Sequence, residues 1–141
     1  TFLLNPAGFR HAPFSKDGCV IFVKLCQFAG EDRAHIVVDS NTASWRSVSP
    51  GVDELPLYSD DRYPEDIRLL RLGPGAILPD PFICPKVAPQ GMEIFVVSGE
   101  LTEGDETLGA GAWLREPRGT TRQFTAATTT TVYLKRNHLA G

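Results

Sequence analysis

Part of this chain occurs twice. Phe2-Leu3-Leu4-Asn5-Pro6-Ala7-Gly8 near the start is echoed by Trp113-Leu114-Arg115-Glu116-Pro117-Arg118-Gly119 near the end, at a constant offset of 111 positions. The same offset, without a gap, aligns Ile21-Phe22-Val23-Lys24 with Val132-Tyr133-Leu134-Lys135. A period of that size is the length of a domain and not of a solenoid unit. The chain is therefore expected to open with the C-terminal strands of one truncated copy, residues 1–30, and to continue with a complete second copy, residues 31–141.

A chain of 141 residues has room for one compact core. Its 42% apolar and 22% charged residues are ordinary for a globular fold. A net charge of −3 with no basic run offers no phosphate footprint, which argues against nucleic-acid binding. No apolar stretch reaches membrane-spanning length and no secretory signal pattern opens the chain. The three cysteines, Cys19, Cys26 and Cys84, are odd in number with no CxxC spacing, so reduced thiols in a cytoplasmic protein are expected. Cys19 and Cys26 lie in an apolar run and are expected in the core.

Many short apolar runs separated by glycine and proline predict an all-β fold. Strands are predicted at Cys19–Phe28, the most apolar run, which forms a hairpin with the residues before it, and at Ala34–Asp39, Asp53–Tyr58, Asp66–Leu72 and Met92–Val97. In Asp66–Leu72, Ile67, Leu69 and either Leu70 or Leu72 are expected to oppose Arg68 and Arg71. Leu101–Thr107 reads as a hairpin around Glu103-Gly104-Asp105, and Ala112–Arg115, Thr121–Ala126 and Thr128–Lys135 as further strands. Asn41–Val48 allows one helical turn at most. Pro81, Pro85 and Pro89 make residues 80–90 a loop. About ten short strands in one domain must close into a sandwich or barrel to hide their edges, and a jelly roll fits this spacing best.

Met92-Glu93-Ile94-Phe95-Val96-Val97-Ser98-Gly99-Glu100 and Gly109-Ala110-Gly111-Ala112-Trp113-Leu114-Arg115-Glu116-Pro117-Arg118-Gly119 resemble the two motifs of the cupin superfamily. More narrowly the chain resembles the ChrR-type cupins, the metal-binding half of certain anti-sigma factors, which also occur as tandem bicupins. The resemblance implies a cupin-type jelly-roll β-barrel with an extra N-terminal β-hairpin. It also implies a metal held by an H-x-H pair and a glutamate of the first motif, and by a histidine three residues after the glycine of the second. Here those positions fall on Lys86, Ala88, Met92 and Arg122, and no other register helps, because residues 36–137 contain no histidine. Ammonium, methyl, thioether and guanidinium groups make a poor ligand set. His11 stands three residues after Gly8, where the family histidine sits, but without companions. His35 and His138 are expected on the surface. Cys84 and His11 remain the weak metal candidates, and no cofactor is expected, with zinc or iron as the alternative.

In this frame Lys86, Met92, Glu93, Arg122, Trp113 and Phe82 are the candidate pocket residues. Two cations in such a cavity call for neutralisation, either by Glu93 or Glu116 or by a bound small carboxylate. The apolar N-terminal strand needs a sheet edge, which suggests a homodimer exchanging N-terminal strands. Three functions stay open. The first, which we favour at this stage, is a metal-free cupin that binds a small molecule and catalyses nothing. The second is a degenerate structural or regulatory dimer of the ChrR-like sensor type. The third is a metal-dependent dioxygenase with other ligands.

Overall fold

The computed structural model describes residues 1–25, 33–79, 91–117 and 122–139. Eleven strands follow one another: β1 Phe2–Leu4, β2 Ile36–Val38, β3 Arg46–Ser49, β4 Val52–Ser59, β5 Asp66–Leu72, β6 Met92–Ser98, β7 Glu100–Glu103, β8 Glu106–Gly109, β9 Trp113–Glu116, β10 Thr125–Ala126 and β11 Thr130–Arg136. No helix occurs among the described residues, and none is long and apolar enough to cross a membrane. The chain divides into two compact units, Thr1–Asn41 and Thr42–Gly141. The expected boundary at residues 30–31 lies outside the described residues.

The first unit is a two-stranded antiparallel sheet in which Phe2, Leu3 and Leu4 of β1 face Val38, Val37 and Ile36 of β2. This is the extra N-terminal ribbon, but its second strand is Ile36–Val38. The expected strand at Cys19–Phe28 does not form over Cys19–Leu25, which carries no ladder and is largely exposed; Cys26 to Phe28 lie outside the described residues. Cys19 is accordingly an exposed free thiol and not a core residue. Lys16-Asp17-Gly18 does turn the chain, with Gly18 at φ 82° and its carbonyl accepting from the Ser15 hydroxyl at 2.6 Å.

The second unit holds a six-stranded sheet, order β3-β4-β5-β11-β6-β9, and a three-stranded sheet, order β10-β7-β8. Their facing sides share one apolar core: Val52, Leu70, Leu72, Met92, Ile94, Val96, Val132 and Leu134 from the larger sheet, with Leu101, Ala126, Phe124 and Leu78. β11 lies between β5 and β6, so Leu134 stands opposite both Arg68 and Ile94, and Arg136 opposite both Asp66 and Met92. The far face of this sheet is also buried, at Ile67, Glu93, Tyr133 and Lys135. That is why β5 departs from simple alternation. Ile67 and Leu69 take the far face, while Arg68 shares the core face with Leu70 and Leu72. β3, an edge strand of sequence Arg-Ser-Val-Ser, has too little apolar content to announce itself.

The turn Ser98-Gly99-Glu100 joins the two sheets. Gly99 has φ 83°, and a Cβ there would lie 2.5 Å from the Thr129 carbonyl and 2.6 Å from the Thr130 Cα. The buried Thr130 hydroxyl oxygen accepts from the Glu100 N–H at 2.9 Å and sits 2.9 Å from the Glu100 and Thr128 carbonyls. Gly111 also has a positive φ, 88°, but a Cβ there meets nothing within 4 Å. A left-handed conformation alone costs an L-residue about 1–2 kcal/mol. Gly111→Ala is expected to lose about that much in urea denaturation, and Gly99→Ala clearly more; equal losses would mean that the turn between the sheets can yield.

Candidate functional site

Along the core face of the six-stranded sheet, side chains change from apolar to charged toward one end. The register aligns Leu70, Val132 and Val96 in one row, Arg68, Leu134, Ile94 and Leu114 in the next, and Asp66, Arg136, Met92 and Glu116 in the last. The charged end of this face is where polar chemistry is available in an otherwise apolar interior.

On the β3–β5 side a chain of ion pairs runs across the strands. Arg46 donates to Glu54 from Nε at 3.1 Å and from Nη2 at 2.6 Å. Arg68 donates to the other oxygen of Glu54 through Nη1, and grips Asp66 through two parallel bonds of 2.7 and 2.6 Å. Arg136 reaches the same Asp66 at 3.0 Å. Three guanidinium groups thus face two carboxylates. Burial alone would lower the pKa of Arg68, but Asp66 and Glu54 outweigh it and raise the value. The group is fixed as a cation.

On the β6–β9 side the balance reverses. Arg122 bonds Glu103 of β7 through Nε, Glu106 of β8 through Nη2, and Glu116 of β9 through Nη1 at 3.2 Å. Its guanidinium carbon lies 4.8 Å from the centre of the Phe124 ring, a cation–π contact against the core. One cation here faces three carboxylates. Desolvation pulls the Arg122 pKa down, the three glutamate bonds more than reverse it, and the net shift is upward. Glu103 is pushed below its ordinary value: desolvation would raise it, but bonds from Arg122 and from the Gln123 N–H prevail.

These placements sort the candidate residues. Met92 and Arg122 belong to the core-face end. Met92 is fully buried among apolar neighbours, with Glu116 opposite it in the ladder. Glu93 and Trp113 alternate to the far face, where Glu93 is buried and Trp113 is half exposed beneath Arg115. Lys86, Phe82 and Cys84 lie outside the described residues. His11 is exposed, 3.3 Å from the Asn5 amide, and His35 is exposed and stacked on Phe9 at 4.4 Å. His138, expected on the surface, instead has a side chain only 8% exposed and lies 3.3 Å from the buried Glu93 carboxylate. Burial and the Glu93 charge raise the pKa of the neighbouring Tyr133, which stays a neutral phenol.

The two described positions where the family resemblance places metal ligands do not fit a metal ion. A guanidinium has no lone pair to give and carries the wrong charge, and a thioether buried in a hydrocarbon core is only a soft donor. The glutamates Glu103, Glu106 and Glu116 are each bonded to the Arg122 guanidinium. Among the described residues no group of three or more His, Cys, Asp or Glu side chains is arranged to hold a metal ion.

Sequence reasoning identified Arg122 and offered Glu116 as a counter-charge, but missed Glu103 and Glu106, which lie 19 and 16 residues away in the chain. The only visible signal was the density of glutamate around Glu103-Gly104-Asp105-Glu106. The lowered Glu103 pKa means that its bond to Arg122 adds stability above the ordinary glutamate range and loses it as pH falls through the depressed value. Glu103→Gln is therefore expected to be less stable than wild type at neutral pH, with the gap closing on acidification below about pH 4. Arg122→Met, which strands the buried Glu116, should cost about 1–3 kcal/mol at neutral pH by urea denaturation. A gap between wild type and Glu103→Gln that is unchanged in acid would dismiss the pairing.

Comparison with known proteins agrees with this architecture. The chain is similar to the solved complex of Rhodobacter sphaeroides SigE with the anti-sigma ChrR, at 17% identity and TM-score 0.57, over 69% of this chain and half of that one. It resembles a cupin-fold protein of unknown function from Ralstonia eutropha JMP134, at 21% identity and TM-score 0.59, over 78% of this chain and 70% of that one. It also resembles an acetylacetone dioxygenase from Acinetobacter johnsonii, at 12% identity and TM-score 0.59, over 81% and 80% of the two chains. Identities this low establish the fold alone. No curated protein matches the chain. The family described as the ChrR Cupin-like domain matches residues 33–140. With β3 to β11 forming one two-sheet jelly roll inside that span, the chain belongs to the ChrR Cupin-like domain family.

Proposed function

We propose that this chain is a non-catalytic cupin that binds a small organic molecule bearing a carboxylate, and that it does so without a metal ion. The observation that carries this reading is the guanidinium of Arg122, which stands where the family resemblance places a histidine ligand and is already bonded to Glu103, Glu106 and Glu116. The positive charge of this end of the barrel comes from the polypeptide itself.

The same bonds move the expected anion contact away from Arg122. Three carboxylates around one guanidinium leave an acidic excess there, which repels an incoming anion. Among the described residues, Arg46, Arg68 and Arg136 on the other side of the row share the carboxylates of Glu54 and Asp66. Planar guanidinium donors suit a carboxylate, and low local polarity strengthens the contact. A dioxygenase role, suggested by the similarity to acetylacetone dioxygenases, would need donors that Met92 and Arg122 do not supply.

Two measurements test the reading. Elemental analysis of protein purified with zinc and iron supplied is expected to find neither in stoichiometric amount; about one tightly held atom per chain would overturn it. Calorimetric titration with a panel of small mono- and dicarboxylates should give heat with at least one of them. The affinity should fall several-fold in Arg46→Gln, whose exposed side chain can be changed without disturbing the core. No heat from any member of the panel would reject a carboxylate ligand.

A further inference from the structure

Asp17-Gly18 is the one place in the chain where an aspartate or asparagine is followed by glycine. It stands at the turn of a segment that belongs to no sheet: residues 9–25 carry no ladder, and Asp17 and Gly18 are both exposed. The Ser15 hydroxyl holds this turn by donating to the Gly18 carbonyl, a bond that does not engage the Gly18 nitrogen. Among the described residues neither that N–H nor the Asp17 carboxylate has a hydrogen-bond or ion-pair partner. Gly18 has φ 82°, and a Cβ added there would meet nothing within 4 Å. The nitrogen is therefore open, both because glycine has no side chain to shield it and because no neighbour does.

Other aspartates are held or crowded. Asp39 accepts from the N–H and the Nδ2 of Asn41, each at 3.1 Å. Asp60 is bonded by Arg62 at 2.8 Å. Asp66 is gripped by Arg68 and Arg136, and Asp53 lies within β4. Asp105 is the informative contrast. It is exposed in the β7–β8 turn, as Asp17 is in its own turn, but the residue after it is Glu106, whose side chain flanks the backbone nitrogen.

We infer that Asp17 is a modification site at which the folded chain converts aspartate to isoaspartate without an enzyme. The Gly18 nitrogen attacks the carbon of the Asp17 side-chain carboxyl group and forms a C–N bond. The carboxyl hydroxyl leaves with the amide hydrogen as water, and a five-membered imide results. Water then opens the imide at the main-chain carbonyl of Asp17, breaking its bond to the Gly18 nitrogen. The chain now runs through the former side chain, and the main-chain carbonyl has become a free carboxylate. One water is lost and one is regained, so mass and charge are unchanged. The product has one more carbon in the backbone between Asp17 and Gly18, which rebuilds the turn that Ser15 holds and from which Val20 to Leu25 depart. This inference does not depend on the ligand reading above.

The test incubates the whole chain in warm neutral buffer, with a parallel sample in urea, and follows each aspartate by peptide mapping with electron-transfer fragmentation, which separates the two isomers. Isoaspartate should accumulate at Asp17 about ten-fold or more faster than at Asp105, because only glycine leaves the attacking nitrogen uncrowded. The rate at Asp17 should be nearly the same in native buffer as in urea, since no sheet has to open before the reaction can begin. Gly18→Ala should bring the rate at Asp17 down toward that of Asp105, and Asp17→Glu should abolish the product at this position. Neither variant touches the core or the charged end of the barrel. Equal rates at Asp17 and Asp105 overturn the inference. So does a rate at Asp17 that is far lower in native buffer than in urea, which would show that the folded turn protects the site. A Gly18→Ala chain that isomerises as fast as wild type overturns it as well.

Discussion

Everything in the complete unit is organised by β11, a strand buried on both faces and flanked by neighbours on both edges. Inserting it between β5 and β6 satisfies its backbone groups on both sides and brings Val132 and Leu134 into the core. The same insertion carries Lys135 and Arg136 indoors. A charged end on a buried strand must find opposite charges, because an isolated ion in a low-polarity interior is far costlier than any single hydrogen bond can return. Asp66 at the start of β5 meets Arg136, and Glu93 stands opposite Lys135 in the β6 ladder. The charged end of the barrel is therefore a consequence of the closing strand, not an independent decoration.

The charges separate into two unequal groups because they are held by different sheets. Arg46, Arg68, Arg136, Glu54 and Asp66 come from four strands of the larger sheet, and their alternation along the surface lets each carboxylate bridge two guanidiniums. Arg122 instead gathers carboxylates from both sheets, since Glu103 and Glu106 flank the β7–β8 turn while Glu116 ends β9. A guanidinium does for these strands what a bound cation would do: it draws carboxylates from separate elements toward one centre. It differs in having fixed directions and no vacant coordination position. Among the described residues this end of the face supplies fixed guanidinium and carboxylate groups.

How much of this could be read beforehand depends on how local the cause is. Asp66–Leu72 and Met92–Ser98 were legible because β-branched and leucine runs end at glycine or acidic turns, and Gly99 because its turn needs a positive φ. β3 was not, since Arg46–Ser49 is an edge strand held by pairing with β4 and not by its own apolar content. The burial of His138 escaped for a related reason. Its surroundings include Glu93, 45 residues away, and nothing adjacent in sequence foretells it. Arg122 was recognisable as a departure from the family motif and Glu116 as a counter-charge, whereas Glu103 and Glu106 belong to strands whose approach to Arg122 only the fold creates.

The N-terminal segment shows the opposite failure, in which the local signal was strong and the strand is nevertheless absent. Val20 to Leu25 has a higher β propensity than most of the strands that do form, yet its counterpart Thr131 to Arg136 is a strand and it is not. Propensity cannot account for the difference, because the two segments align without a gap and the one that forms no strand is the more apolar. What differs is the slot. Leu134 has Arg68 on one side and Ile94 on the other, supplied by strands that fold with it, and the ladder bonds and core contacts follow together. A central strand is thus a property of the sheet as much as of its own residues.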